Sequence, residues 1–222
     1  MIAVIRPLFL VIVATVLVSG CALGRSEVSV SPSASLSNPS QGTAIKIAKI
    51  EDIRHFEVDP RQASTPSLSD QDINNTTITT RAIARKRGGF GKALGDVLLP
   101  EGQTVAALMQ QALTDGFRGA GYQVLAPGDS GYDQAVPISA QIKQYWCWFS
   151  PGFFSVSINN RAEVDLSGPL PELGNGLTVH SDVTEELMAV FEEDWKNIAT
   201  KGLSQTSTNL ADALLARARA AK

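Results

Sequence analysis

Apolar and basic residues alternate along Ile45-Lys46-Ile47-Ala48-Lys49-Ile50, the period of two that marks a half-buried strand. Residues 54–75 hold Pro60 and Pro66 among many polar side chains and read as loop, while Ile78 to Ala84 read as a second short strand. The stretch from Arg85 to Lys92 is too rich in glycine for a regular element. Val105, Leu108, Met109, Ala112, Leu113 and Phe117 then fall on one stripe at helical spacing, and Gly119 or Gly121 can end that helix in a left-handed cap. Tyr122-Gln123-Val124-Leu125 reads as a strand leaving the cap.

The two clearest strands follow. Ile138, Ala140, Ile142, Trp146 and Trp148 share one face of the first, and Phe154, Val156, Ile158, Ala162, Val164 and Leu166 mark the second. Ser150-Pro151-Gly152 between them predicts an antiparallel hairpin, and Leu177, Val179, Ser181, Val183 and Leu187 extend it to a three-stranded meander. From Trp195 to Leu214 the apolar positions return to helical spacing, giving one long amphipathic helix or two short ones broken near Gly202. The order predicts an α+β fold, a mostly antiparallel sheet with two main helices packed on one face and the other face partly open.

Ahead of Ile45 the pattern is different. Residues 22–44 are rich in Ser, Pro and Gly without a sustained apolar period, the composition of a flexible tether. Before them, Arg6 precedes an apolar run from Leu8 to Val18 that closes on Val18-Ser19-Gly20-Cys21. A positive start, a short hydrophobic run and small residues at the end make a secretory signal peptide, and the run is too short to span a bilayer. Small residues directly before a cysteine resemble the lipobox of bacterial lipoproteins. That resemblance implies diacylation of Cys21 as the new N-terminus and, with Ala22 rather than Asp next, sorting to the periplasmic face of the outer membrane. The expected organisation is a lipoprotein signal peptide over 1–20, a lipidated Cys21 with a flexible linker over 21–44, and one periplasmic domain over 45–222.

Charge and composition remove several classes of function. The formal net charge is −3, and Arg6 is the one charged side chain before Cys21, so the processed chain is more acidic still and carries no footprint for nucleic acid. With Cys21 lipidated, Cys147 has no partner for a disulfide. His55 and His180 are the only histidines and no Cys/His cluster exists, so no metal or other cofactor is expected.

Motifs that invite a chemical reading fail on their spacing. Gly91-Lys92 has Lys86 where a phosphate-binding loop needs its first glycine and Ala93 where it needs a hydroxyl. Asp70-Gln71-Asp72 begins like a calcium loop but continues with Asn75 for the sixth-position glycine and Arg81 for the twelfth-position glutamate. Gly128-Asp129-Ser130-Gly131 is one residue short of a nucleophile elbow, neither histidine has a nucleophile motif nearby, and Cys147 has no adjacent base. Glu192-Glu193-Asp194 suits the first turn of the last helix, where carboxylates meet the positive end of the dipole.

One cluster stands out, Tyr145-Trp146-Cys147-Trp148-Phe149-Ser150-Pro151-Gly152-Phe153-Phe154 at a hairpin tip. Alternate members can simply be core. Consecutive aromatics on a strand must point to both faces, however, so helices on one face cannot cover them all. Counting in twos from Ile138 puts Trp146 and Trp148 in the core and turns Tyr145 and Phe149 the other way. Tyr145, Phe149 and Phe153 are therefore the candidate contacts for a partner protein, a lipid tail or the membrane interface.

The chain resembles the YajG-type bacterial outer-membrane lipoproteins. The resemblance lies in the lipobox, in a first strand followed by Glu51-Asp52-Ile53-Arg54, in the helix ending Gly119-Ala120-Gly121-Tyr122-Gln123-Val124, and in the strand from Ile138 to Trp148. It implies a periplasmic α+β domain anchored to the membrane by lipid and acting by binding, with no catalytic residue to carry over. The functional expectation is a non-enzymatic accessory module whose partner is an envelope protein or lipid. The alternative from another class is a periplasmic hydrolase acting on cell-wall or lipid material, which would need a deep pocket with converging titratable groups.

Overall fold

The strand expected from Ile138 to Trp148 runs further than its alternation, from Val136 to Pro151, and the rest of the sheet is built on it. The computed structural model describes residues 24–32, 35–88, 91–153 and 155–220. Among them the strands are β1 (Ser26–Glu27), β2 (Ala44–Asp52), β3 (Ala82–Arg87), β4 (Ala93–Leu98), β5 (Gln123–Val124), β6 (Val136–Pro151), β7 (Val156–Ser167) and β8 (Leu177–Leu187). The helices are α1 (Thr76–Thr79), α2 (Val105–Gly119) and α3 (Glu192–Ala220).

β6, β7 and β8 form the expected antiparallel meander, in register from Pro151↔Val156 and Val156↔Leu187 downward. The other edge of β6 is shared. β2 lies parallel to its first half, with β5 beyond, and β3 meets it at Ala84↔Cys147, leading on to β4 and β1. The long ladders are antiparallel, and the fold is α+β with both main helices on one face.

Local sequence explains each helix. Thr104 caps α2, its Oγ1 accepting from the Ala107 N–H at 3.2 Å, and the apolar stripe from Val105 to Phe117 is buried. The chain leaves α2 through Gly121 at φ +93°, a conformation that suits glycine. α3 is a single helix of 29 residues, unbroken at Gly202. Its buried residues, Trp195, Ile198, Ala199, Leu203, Leu210 and Leu214, join α2 and the sheet in the main core.

The opposite face of the sheet is partly covered by residues 53–80, which enclose a second, smaller cluster: Phe56, Leu68, Ile78, Ala82, Leu98 and Trp146. Arg54 fastens this layer. Its guanidinium, wholly buried, donates to Asp52 at 2.8 and 2.7 Å and to the carbonyls of Thr79 (2.7 Å), Ala82 (2.6 Å) and Tyr145 (3.1 Å).

Three expectations need correction. Ile78 belongs to α1 rather than to a strand, and β3 instead continues through Arg85, Lys86 and Arg87. Those basic residues fit a strand because their long side chains reach partners: Lys86 pairs with Glu192, and Arg87 donates to Pro60 O (2.9 Å) and Ser67 Oγ (3.0 Å). The turn they lead into is short, and β4 pairs back on β3 from Ala93.

The third correction concerns the tether expected up to residue 44. The described part of it is folded onto the domain. β1 pairs with β4, Val28 and Val30 are buried, and Gln103 bonds both the N–H and the carbonyl of Val30 (3.2 and 2.8 Å). Farther on, Asp115 accepts from Ser35 Oγ and Leu36 N–H, and Arg118 donates to Ser35, Leu36 and Asn38. Serine and proline here mark a segment held by side-chain bonds rather than by a ladder. The expected anchor, Cys21, and the signal peptide lie outside the described residues.

Candidate functional site

The aromatic cluster divides differently from a simple count in twos. The β6–β7 register steps from Ile142↔Val164 to Gln144↔Glu163, so Lys143 is an extra residue that opposes nothing. Such a bulge inverts the side-chain parity beyond it. Tyr145, Cys147 and Phe149 therefore continue the helix-facing side of Ile138, Ala140 and Ile142, and Trp146 and Trp148 turn to the second layer.

Tyr145, expected at the surface, is wholly buried, and its hydroxyl donates to Ala199 O in α3 at 2.8 Å. Phe149 is half-buried with its ring edge-on to Trp195, centroids 6.4 Å apart. Trp146 is core as expected, but in the second cluster, with Phe56 edge-on at 6.0 Å and its Nε1 donating to Ala63 O at 3.2 Å. Phe153 alone of the three candidates is exposed, at 91%.

Two apolar residues accompany Phe153. Met188 is 87% exposed and Phe191 70%, and both lie in the connection between β8 and α3. Because Val156 pairs with both Pro151 and Leu187, the β6–β7 turn and the β8–α3 connection sit at the same end of the sheet. The β3–β4 turn lies at that end too, since β3 runs parallel to β6, and it displays the exposed Lys92. The signal missed in the sequence was the run Leu187-Met188-Ala189-Val190-Phe191, which abandons the alternation of β8 without starting a helical stripe.

Carboxylates surround this end, each with a bond of its own. Glu186 accepts from Ser155 and Ser157 at 2.7 Å, which holds its carboxyl below the usual range. Asp194 accepts from the Phe191 N–H at 2.7 Å, and Glu192 and Glu193 pair with Lys86 and Lys196.

Polar groups inside the domain join α3 to the sheet and β7 to β6. Tyr145 bonds Ala199 O, Asn160 Nδ2 reaches Cys147 Sγ at 3.1 Å, and Ser181 Oγ meets Thr206 Oγ1 at 2.9 Å. Burial pushes the Cys147 thiol up to about 12, against a smaller opposing effect of Asn160, so it stays protonated. The Tyr145 phenol is likewise raised by burial.

The remaining sequence candidates do not converge. His55 is exposed in the segment after β2, and His180 lies on β8 with Glu163 Oε2 at 3.7 Å from Nδ1. Asp72 is taken by Arg25 and Ser69. A shallow groove of about 180 Å³ runs between α2 and α3 beside Leu36, and its carboxylate, Asp115, is the one already bonded to residues 35 and 36. Among the described residues no group of His, Cys, Asp and Glu could hold a metal ion, and no helix is long and apolar enough to cross a membrane.

The fold and this surface define an α+β domain with a one-sided helical layer and an apolar sheet end. The chain matches no protein-family model and no curated protein sequence. It is similar to a solved structure, protein XCC0632 from Xanthomonas campestris, of the family model DUF330, with 10% identity over 90% of this chain and 97% of that one and a TM-score of 0.46. A second, an uncharacterized protein, is 8% identical over 86% of this chain and 97% of the other, with a TM-score of 0.38.

Proposed function

We propose that this chain is a lipid-anchored periplasmic lipoprotein of the YajG type, an accessory module of the outer membrane that works by binding rather than by catalysis. The observation that carries the reading is the gathering of Phe153, Met188 and Phe191, each at least 70% exposed, at one end of the sheet. Large apolar side chains grouped at the surface of an otherwise well-packed domain serve contact with a partner, protein or lipid. Small residues before Cys21 supply the anchor, and the hydroxyls of Tyr145, Ser181 and Thr206 are occupied in packing α3 on the sheet.

The test is fractionation of cells producing the wild type and Cys21→Ser, with metabolic labelling by radioactive palmitate. The wild type is expected in the membrane fraction and labelled, and the variant soluble and unlabelled. Retention of unlabelled Cys21→Ser protein in membranes after a high-salt wash would overturn the anchor.

A further inference from the structure

The chain enters the fold at the apolar end. Gly24 N–H donates to Leu94 O at 2.8 Å, beside the start of β4, and Ser26 pairs with Val97. Across the sheet, Val97 pairs with Ala84, Ala84 with Cys147, Cys147 with Asn160 and Asn160 with Val183. Two residues toward the turns from this row, Gly24 stands level with Phe149. Phe153 lies in the turn beyond β6, four residues of chain from Phe149, which span at most about 13 Å. The three residues from Gly24 back to Cys21 span at most about 10 Å.

From these lengths we infer that this end of the sheet rests on the bilayer that holds the lipid of Cys21, with Phe153, Met188 and Phe191 entering the interface. The inference rests on the lipoprotein reading above and names lipid as the partner of that surface. A long flexible linker would let the domain turn freely, but here residues 24–28 are bonded to β4 and Val30 to Gln103, which leaves only a short lead. The anchor and the exposed side chains thus reach the same plane, where phenylalanine and methionine are favourably placed.

The contact is apolar rather than electrostatic. Lys92 is the exposed base of the β3–β4 turn, but Glu186, Glu192, Glu193 and Asp194 lie at the same end, so its balance is not cationic. The β7–β8 turn at Asn175 is at the far end of an 11-residue strand and faces away from the membrane.

The test uses the full chain, processed and lipidated in a Gram-negative host and reconstituted into phosphatidylcholine vesicles. Single cysteines at Phe153→Cys, Met188→Cys and, as a distant reference, Asn175→Cys accept an environment-sensitive fluorophore, because Cys147 is buried. Nitroxide-bearing lipids are expected to remove most of the fluorescence at 153 and 188 and none at 175, with the same result when phosphatidylglycerol is added. Unquenched probes at 153 and 188 on protein that floats with the vesicles would overturn the proposal and leave the lipoprotein reading intact. Protein that does not float would remove both. Probes shielded from a water-soluble quencher in native membranes, yet beyond reach of the lipid-borne one, would assign this end to a protein partner and overturn the bilayer contact.

Discussion

Asn160 on β7 occupies the space that a side chain at Gly202 of α3 would need: a Cβ built there falls on the Asn160 amide. The helix approaches the sheet this closely because residue 202 has no side chain, and Asn160, wholly buried, fills the gap and donates to Cys147 Sγ. A glycine in the middle of a 29-residue helix is thus a packing requirement, not a break.

Gly202→Ala is therefore expected to destabilise the domain by about 2 kcal/mol, although alanine is intrinsically the better helix former by about 1 kcal/mol. Combining it with Asn160→Ala should recover part of the loss, since the clash is between these two side chains. Urea unfolding of the two single variants and the double variant measures the coupling, and strictly additive losses would contradict the contact.

The aromatic hairpin gives a graded series. Tyr145→Ala should cost about 3–5 kcal/mol, as a large buried ring, and Tyr145→Phe about 1 kcal/mol for the hydrogen bond to Ala199 O. Phe149→Ala should fall between, losing its packing on Trp195, and Phe153→Ala should change stability by less than about 0.5 kcal/mol. Thermal or urea unfolding that ranks Phe153→Ala with Tyr145→Ala would contradict the assignment of inner and outer faces.

What was legible in the sequence follows the strength of the local signal. The stripe from Val105 to Phe117 and the meander from Ile138 to Leu187 are long and regular, and both elements form where the pattern puts them. The candidate site was harder to read because one bulge at Lys143, among residues with no glycine to mark it, inverts the parity of every residue from Tyr145 on. Asn160 escaped notice inside Asn159-Asn160-Arg161, where three polar residues hide an inward position. Val28 and Val30 alternate for too few residues to stand out from the serines around them, and their burial depends on Gln103, more than seventy residues away.

Arg54 supplies a test of the second layer. Arg54→Met removes a buried cation that satisfies three carbonyls and leaves Asp52 without its partner, at an expected cost of about 3–5 kcal/mol. The layer over residues 57–74 should loosen before the main core does. Limited proteolysis should then cut that stretch first, and the emission of Trp146 should shift to the red as its cover is lost. Unchanged proteolysis would show that the layer does not depend on the clamp.

Alkaline conditions should weaken the fold through Cys147. The thiol has a pKa near 9 in the unfolded chain and about 12 in the folded one, so above about pH 9 the unfolded state binds fewer protons and gains on the native state. Stability is unaffected by this group below that range and falls by up to about 1.4 kcal/mol per pH unit within it. The buried Tyr145 phenol adds to the fall at higher pH. Urea unfolding of the wild type and Cys147→Ala between about pH 8 and 11 tests the assignment. The variant should show the shallower slope, and parallel slopes would contradict it.

The entry segment decides how closely the domain is held. Val30 is wholly buried, and its backbone N–H and carbonyl both bond the amide of Gln103, while the Val28 N–H donates to Leu98 O at 2.9 Å. Val30→Ala should cost about 1–3 kcal/mol, and Gln103→Ala a comparable amount by leaving two backbone groups without partners. In native-state hydrogen exchange the Val28 and Val30 amides should be protected nearly as well as the core, since opening them requires stripping β1 from β4. A linker would exchange both amides at the rate of an unstructured peptide and tolerate both substitutions. That outcome would also free Gly24 from its place beside Leu94, so that the reach of about 10 Å to residue 21 would no longer start from the sheet, and the geometric basis for bringing the apolar end to the membrane would go with it.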